Sequence, residues 1–243
     1  MRILFALAAL ALASCAAHPP GSGDDAAGAA SLKLADAAMA GGAPAIALRV
    51  ADGVLAAHPA DVAALVEEGT ALAALGRDDQ ATISFRRALA LAPGSREARI
   101  GLGRLALGSD PAEAATLFGE VLRSRPDDVT ALIDRGIAED LQGEHAAAEA
   151  SYRAALSVQP DNTAAEVNLA LSLALAGHAQ VAIGMLRPLA AGQAGGRRVA
   201  DDLAVALAMS GETRAASEIL APELSESQIT EAIAAYRELQ PAP

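Results

Sequence analysis

Tryptophan is absent from this 243-residue chain, cysteine and lysine occur once each, as Cys15 and Lys33, and aromatic residues make up only 2%. A single thiol excludes an internal disulfide and is too few for a cysteine-built zinc site. The scarcity of rings argues against a β-sandwich or barrel, whose pleated faces favour β-branched and aromatic residues. A hydrophobic fraction of 53% must then be carried by alanine and leucine, the residues of closely packed helices. Positive charge is also in deficit: 18 basic against 30 acidic side chains give a formal net charge of −12. Such a body repels phosphate backbones, so no nucleic-acid partner is expected. The twenty uncharged residues from Val167 to Leu186 have the length of a membrane span, but Asn168, Ser172, His178 and Gln180 interrupt them. The segment reads better as two helices around a turn at "AGHAQ".

What is present begins with an export-type leader, residues 1–14. Met1-Arg2 gives a positive start, and Ile3 to Ala13 is an apolar run of eleven residues, short of the roughly 20 that cross a bilayer. Leu12-Ala13-Ser14-Cys15 follows the order aliphatic, small, small, cysteine. It resembles the lipobox of bacterial lipoproteins, which implies cleavage before Cys15 and acylation of that residue. The alternative is a secretory signal with an incidental cysteine. Two or more acyl chains, at ~0.8 kcal/mol per buried CH₂, would hold the protein on a membrane. By analogy with lipoprotein sorting, Ala16 in place of an aspartate points to the outer membrane. Residues 15–30, rich in Gly, Pro, Ser and Asp, are expected to form a flexible tether with an end-to-end distance of roughly 20 Å.

From residue 31 to 222 the chain repeats. Prolines at 59, 93, 126 and 160 are 34, 33 and 34 residues apart, and glycines at 42, 76, 143, 177 and 211 keep the same period. This is the spacing of tetratricopeptide repeats (TPRs), in which a small residue turns between two helices and proline closes each pair. The second block shows the pattern in full: Leu65, Gly69, Leu72, a turn at Gly76, then Ala81, Phe85, Ala88 and Pro93. The third (Gly103, a turn at Gly108, Phe118) is one residue shorter, and the fourth (Gly136, Gly143, Tyr152) is complete. Ala170 and Leu186, then Ala204 and Leu220, mark two further blocks, and an imperfect first block carries Ala35 and Ala47. The small residues are expected to bring paired helices together, with Phe85, Phe118 and Tyr152 filling the space between repeats. The fold class is therefore all-α, a solenoid of about six repeats. Residues 223–243 supply its end: Ser225 and Gln228 form a capping-box pattern ahead of a helix with Ile229, Ile233, Tyr236 and Leu239 on one side.

Nothing in the pattern calls for bond chemistry, a cofactor or a metal. His18, His58, His145 and His178 fall in the tether or at turns, outside any H-E-x-x-H set. "GLGRLA", residues 101–106, matches G-x-G-x-x-A but lies within a helix with no strand before it. Adjacent acidic pairs such as Glu67-Glu68, Asp127-Asp128 and Asp201-Asp202 diverge on a helix and read as solvated surface. What remains is a binding groove on the first helix of each pair, expected to present Val66, Ile100, Ile133, Ile137, Val167, Asn168 and Leu171. These suit an apolar or amphipathic segment of a protein partner. The alternative is that some of them are inter-repeat core.

The lipobox, the repeats, "NLALSLALAGHAQVAIGMLRPLA" (168–190), "DDLAVALAMSGETRAASEIL" (201–220) and "ELSESQITEAIAAYREL" (223–239) together resemble the TadD-type lipoproteins of tight-adherence (Flp) pilus systems. The terminal helix departs from the family's Asn-Leu-Ala-Tyr-Tyr-Arg-like segment and keeps only Tyr236-Arg237. The resemblance implies a non-catalytic outer-membrane assembly factor, facing the periplasm, whose partner is a secretin or another pilus component. A second reading keeps the scaffold but gives it cell-wall hydrolases, proteases or outer-membrane-protein assembly factors as clients. An enzyme reading finds no room for a catalytic domain between residues 31 and 239.

Cells fed an alkyne fatty acid should label the wild-type protein and leave Cys15→Ala unlabelled. Equal labelling of the two would remove the lipidation reading.

Overall fold

The structure, a computed structural model, describes residues 23–192 and 196–239; Leu12, Ala13, Ser14 and Cys15 lie outside the described residues. Among the described residues there are thirteen helices and no strand. They form six antiparallel pairs: α1 (Gly23–Ala40) with α2 (Pro44–Ala57), α3 (Val62–Ala74) with α4 (Asp78–Leu91), and α5 (Arg96–Ala106) with α6 (Pro111–Ser124). They continue with α7 (Val129–Leu141) and α8 (His145–Val158), α9 (Thr163–Leu175) and α10 (Ala179–Ala191), and α11 (Gly196–Ser210) and α12 (Thr213–Leu220), followed by α13 (Glu226–Glu238). The twenty-residue uncharged stretch is divided between α9 and α10, and no described helix is long and apolar enough to cross a membrane.

Sequence fixes the ends of these helices. Gly42, Gly76, Gly143, Gly177 and Gly211 have φ between 69° and 89°, the left-handed region in which a side chain is strained, and each turns one helix into its partner. Gly108 is not among the positive-φ glycines. The shorter third block turns instead through a bond from the Asp110 N–H to the Ala106 carbonyl, 2.8 Å. Two residues after each repeat-closing proline stands a helix cap that the proline period conceals. Asp61, Ser95, Asp128 and Asn162 accept the N–H of Ala64, Ala98, Ala131 and Ala165 at 2.9, 3.3, 3.0 and 2.9 Å. Such caps stabilise a helix by about 1 kcal/mol each.

α1 begins at Gly23, so the boundary drawn at residue 30 falls inside a helix. The segment "GDDAAGAAS" is alanine-rich, and helix propensity offsets its weak hydrophobic patterning. At the other terminus the expected capping box is present. The Ser225 N–H donates to Gln228 Oε1 at 3.0 Å, and the Gln228 N–H reaches Ser225 Oγ at 3.5 Å. Ile229 and Ile233 are buried against α11 and α12, whereas Leu239, the helix's last cap residue, is exposed.

The core runs along the array as a row of matched sizes. A Cβ built on Gly69 would lie 2.7 Å from Phe85, on Gly103 2.5 Å from Phe118, and on Gly136 2.5 Å from Tyr152. All three rings are 2% exposed or less. In the fifth and sixth pairs the glycine becomes Ala170 or Ala204, and the ring becomes the buried Leu186 or Leu220. Gly136→Ala should therefore destabilise despite alanine's better helix propensity, by about 1–2 kcal/mol and a Tm loss of roughly 3–6 °C. Gly53→Ala, with nothing within 4 Å of its Cβ, should raise Tm by about 2 °C. Thermal melts of the two variants check the pair. A Gly136→Ala protein as stable as wild type would refute the packing argument.

Candidate functional site

The odd-numbered helices line one side of the array. α1 packs on α3, α3 on α5, α7 on α9 and α9 on α11, while the even-numbered helices make no comparable contacts with one another. Helices approach their counterparts in the next repeat on the inner side of a curved stack, which makes the odd row the inner face. The seven predicted groove residues all belong to this row, but they differ in exposure. Ile100 (5% exposed) and Val167 (8%) are core, each within a buried cluster. Val66, Ile133, Ile137, Asn168 and Leu171 are half-buried.

They also form separate groups. Ile133 and Ile137 pack around Tyr152, Val167 and Leu171 join the C-terminal core, and Val66 shares a cleft with Ile100. That cleft, about 650 Å³ between α3 and α5, is also bordered by Glu67, Thr70, Phe85, Arg96, Glu97, Gly101 and Arg104.

Charge on this face is arranged in pairs across repeats. Arg96 of α5 grips Asp128 at the start of α7 with two nitrogens, one at 2.9 Å, and its third nitrogen reaches Glu97 at 3.4 Å. Arg104 meets Asp134 of α7 at 2.8 and 3.4 Å. Asp128 is 7% exposed, so reading Asp127-Asp128 as solvated surface fails for this member, which is both helix cap and ion-pair partner. The Arg96 hydrogen bond holds the Asp128 carboxyl below the usual carboxylate range. Burial pushes Asp134 up, against the opposing effect of Arg104. A separation of 30 to 32 residues, close to one repeat, was the sequence signal for both pairs.

Glu67 of α3 is also half-buried and shares a hydrogen bond with Asp36 of α1; burial and that neighbouring carboxylate push its pKa up to about 7. Its neighbour Glu68 accepts from Ser84 at 2.6 Å, so neither glutamate of this pair is simply solvated.

A second polar cluster ties α7, α8 and α9 together. Asp140 accepts from Ser172 Oγ at 2.7 Å and from Tyr152 at 3.0 Å, and lies 2.8 Å from His145 Nδ1. Ser, His and Asp are all present, but the carboxylate sits in the middle. The serine meets the His145 backbone carbonyl at 3.4 Å rather than its imidazole, so the ring is not placed to take the serine proton. The arrangement satisfies buried polar groups, and burial together with Asp140 raises the Tyr152 pKa. Among the described residues no group of three His, Cys, Asp or Glu side chains is arranged to hold a metal.

With this geometry in place, comparison with known proteins defines the class. A tetratricopeptide-repeat family profile matches residues 32–96 and 99–165, and the chain belongs to that family. TPRs mediate protein–protein interaction, so the fold is that of a scaffold. Among solved structures the chain is similar to PilW, described as a widely conserved type IV pilus biogenesis factor. The two are 26% identical with a TM-score of 0.70, over 86% of this chain and 98% of that one. At the level of fold alone it also resembles PilF of Pseudomonas aeruginosa (15% identity, TM-score 0.71, 88% and 99% covered). The APC/C hetero-tetramer Cut9–Hcn1 gives 16% identity and a TM-score of 0.74 over 86% of this chain and 42% of the other. A search of curated proteins finds no match.

The Glu67 shift has a sign that can be checked. Because its folded pKa is raised from 4.5 to about 7, the folded chain holds the proton more tightly than the unfolded one. This contribution to stability is fully present below pH 4.5 and is lost as the pH rises through 7. Glu67→Gln should raise Tm by about 2–4 °C at pH 8, after allowance for solvent screening, and change it little at pH 4.5. Equal effects at both pH values would show that Asp36 and burial do not act on this carboxyl.

Proposed function

We propose that the protein is a non-catalytic, lipid-anchored scaffold that helps assemble a pilus machine, of the tight-adherence type, at the periplasmic face of the outer membrane. Its partner is a secretin or a neighbouring pilus component. The observation that carries the pilus assignment is the likeness to PilW along 86% of this chain and 98% of that one, at 26% identity. The tight-adherence type rests on the resemblance to TadD-type lipoproteins, which covers most of the chain after the leader and is strongest over residues 166–239, together with the lipobox. Cys15 supplies location, and the inner row of odd-numbered helices supplies the grip, through the half-buried side chains Val66, Ile133, Ile137, Asn168 and Leu171. The activity in this reading is binding.

The test is capture of partners by a C-terminally tagged protein from gently solubilised native envelopes, followed by mass spectrometry. A secretin or other pilus component should be enriched, and lost with Ile137→Glu and Leu171→Glu combined while circular dichroism shows full helicity. Val167 is unsuitable for such a change, because a charge there would enter the core. Enrichment of hydrolases, proteases or barrel-assembly proteins without any pilus component would move the function to a general envelope scaffold.

A further inference from the structure

The cleft between α3 and α5 has an unusual floor. Gly101 of α5 lies directly over the Phe85 ring, so close that a Cβ on it would collide with the ring. Val66 and Leu105, both half-buried, border an apolar cleft on the inner face, with Ile100 buried beneath them. The Phe85 ring takes the space that a side chain at position 101 would need and, itself buried, closes the floor.

The rim of the pocket is charged, and its two cations are already engaged. Arg96 spends its guanidinium on Asp128 and Glu97, and Arg104 spends its own on Asp134, all within this chain. A carboxylate of an incoming segment would therefore have to break an existing ion pair. The acidic side of the rim is different. Glu67 faces Asp36, like charge against like, and among the described residues no basic side chain forms an ion pair with either. Lys33, one turn before Asp36 on α1, makes no such pair, and Arg104 is turned to Asp134. The charge left for a partner to meet is negative.

We infer that this cleft takes an amphipathic segment of the partner that places an apolar side chain against Val66, Gly101 and Leu105, above the floor that Phe85 closes, and a lysine or arginine against Glu67 and its neighbour Asp36. This deepens the scaffold reading above and rests on it. A cation there relieves the repulsion between the two carboxylates and replaces the proton that Glu67 takes up. The segment's apolar side chain fills a pocket that this chain leaves open.

The probe is an 18-residue helical peptide of leucine, alanine and lysine, with a lysine stripe beside a leucine stripe, and a twin in which every lysine is glutamate. Binding to the purified full chain is read by fluorescence anisotropy at physiological salt. The lysine peptide should bind at least about tenfold more tightly than its twin. Glu67→Gln with Asp36→Asn should weaken it by about five- to tenfold. Asp78→Asn with Asp79→Asn removes at least as much charge from the exposed start of α4 and should weaken it by less than about twofold. A glutamate peptide that binds equally well overturns the inference. Equal losses in both double variants overturn it too, since they show general attraction to an acidic body. Failure of the lysine peptide, while Ile137→Glu with Leu171→Glu still abolishes pilus-component capture, removes this occupant and leaves the scaffold reading intact. Binding as stated, with no pilus component captured from envelopes, supports the occupant and removes the pilus assignment.

Discussion

The array depends on one kind of contact: a large side chain seated where its partner helix has almost none. Three rings, Phe85, Phe118 and Tyr152, fill holes over Gly69, Gly103 and Gly136, and they stand in for the tryptophan and wider aromatic content the chain lacks. Where the ring shrinks to Leu186 or Leu220, the opposite residue grows to Ala170 or Ala204, so the distance between helices is kept while the chemistry changes. This complementarity is why an alanine-rich sequence with few bulky residues builds a dense core. It also sets the crossing of each pair and, through it, the row of odd-numbered helices on which the proposed grip depends.

The solenoid was legible in the sequence because its signals are periodic. Positive-φ glycines, repeat-closing prolines and small-to-large pairings recur at nearly fixed intervals, and even the capping box at Ser225 has a local pattern. The family profile matches residues 32–96 and 99–165, yet the helix pairs continue to Leu220, as the Ala170/Leu186 and Ala204/Leu220 blocks indicated. The groove was legible only in part. Placing Val66 or Ile137 on the inner row follows from register, but whether such a residue is core or surface depends on how closely the next repeat approaches. Ile100 and Val167 proved to be core. The start of α1 was missed because helix propensity without hydrophobic periodicity looks like tether.

Acidic side chains were the most misleading class. Composition marks them as solvent-facing and individually interchangeable, but position divides them. Asp128 caps a helix and closes an ion pair, Asp140 gathers three partners, and Glu67 stands against another carboxylate. Two of the ion pairs, Arg96–Asp128 and Arg104–Asp134, cross from α5 to α7, the one step along the odd row where the helices do not pack as closely as their counterparts. The charged side chains act there as spacers that carry the contact apolar packing supplies elsewhere.

The two ends of the stack are unlike. α13 covers the last pair with Ile229 and Ile233, whereas among the described residues no helix covers the outer flank of the first pair, where Leu34 is 58% exposed. Because each pair leans mainly on its immediate neighbours, cooperativity is passed along the chain link by link. A pair with one neighbour and no cover is the first to open. The described array thus has a built-in polarity of unfolding, from α1 and α2 inward. Amide protons of that pair will exchange with solvent sooner than those around Tyr152, and whatever docks against α1 and α3 will slow the opening of the whole stack from that end.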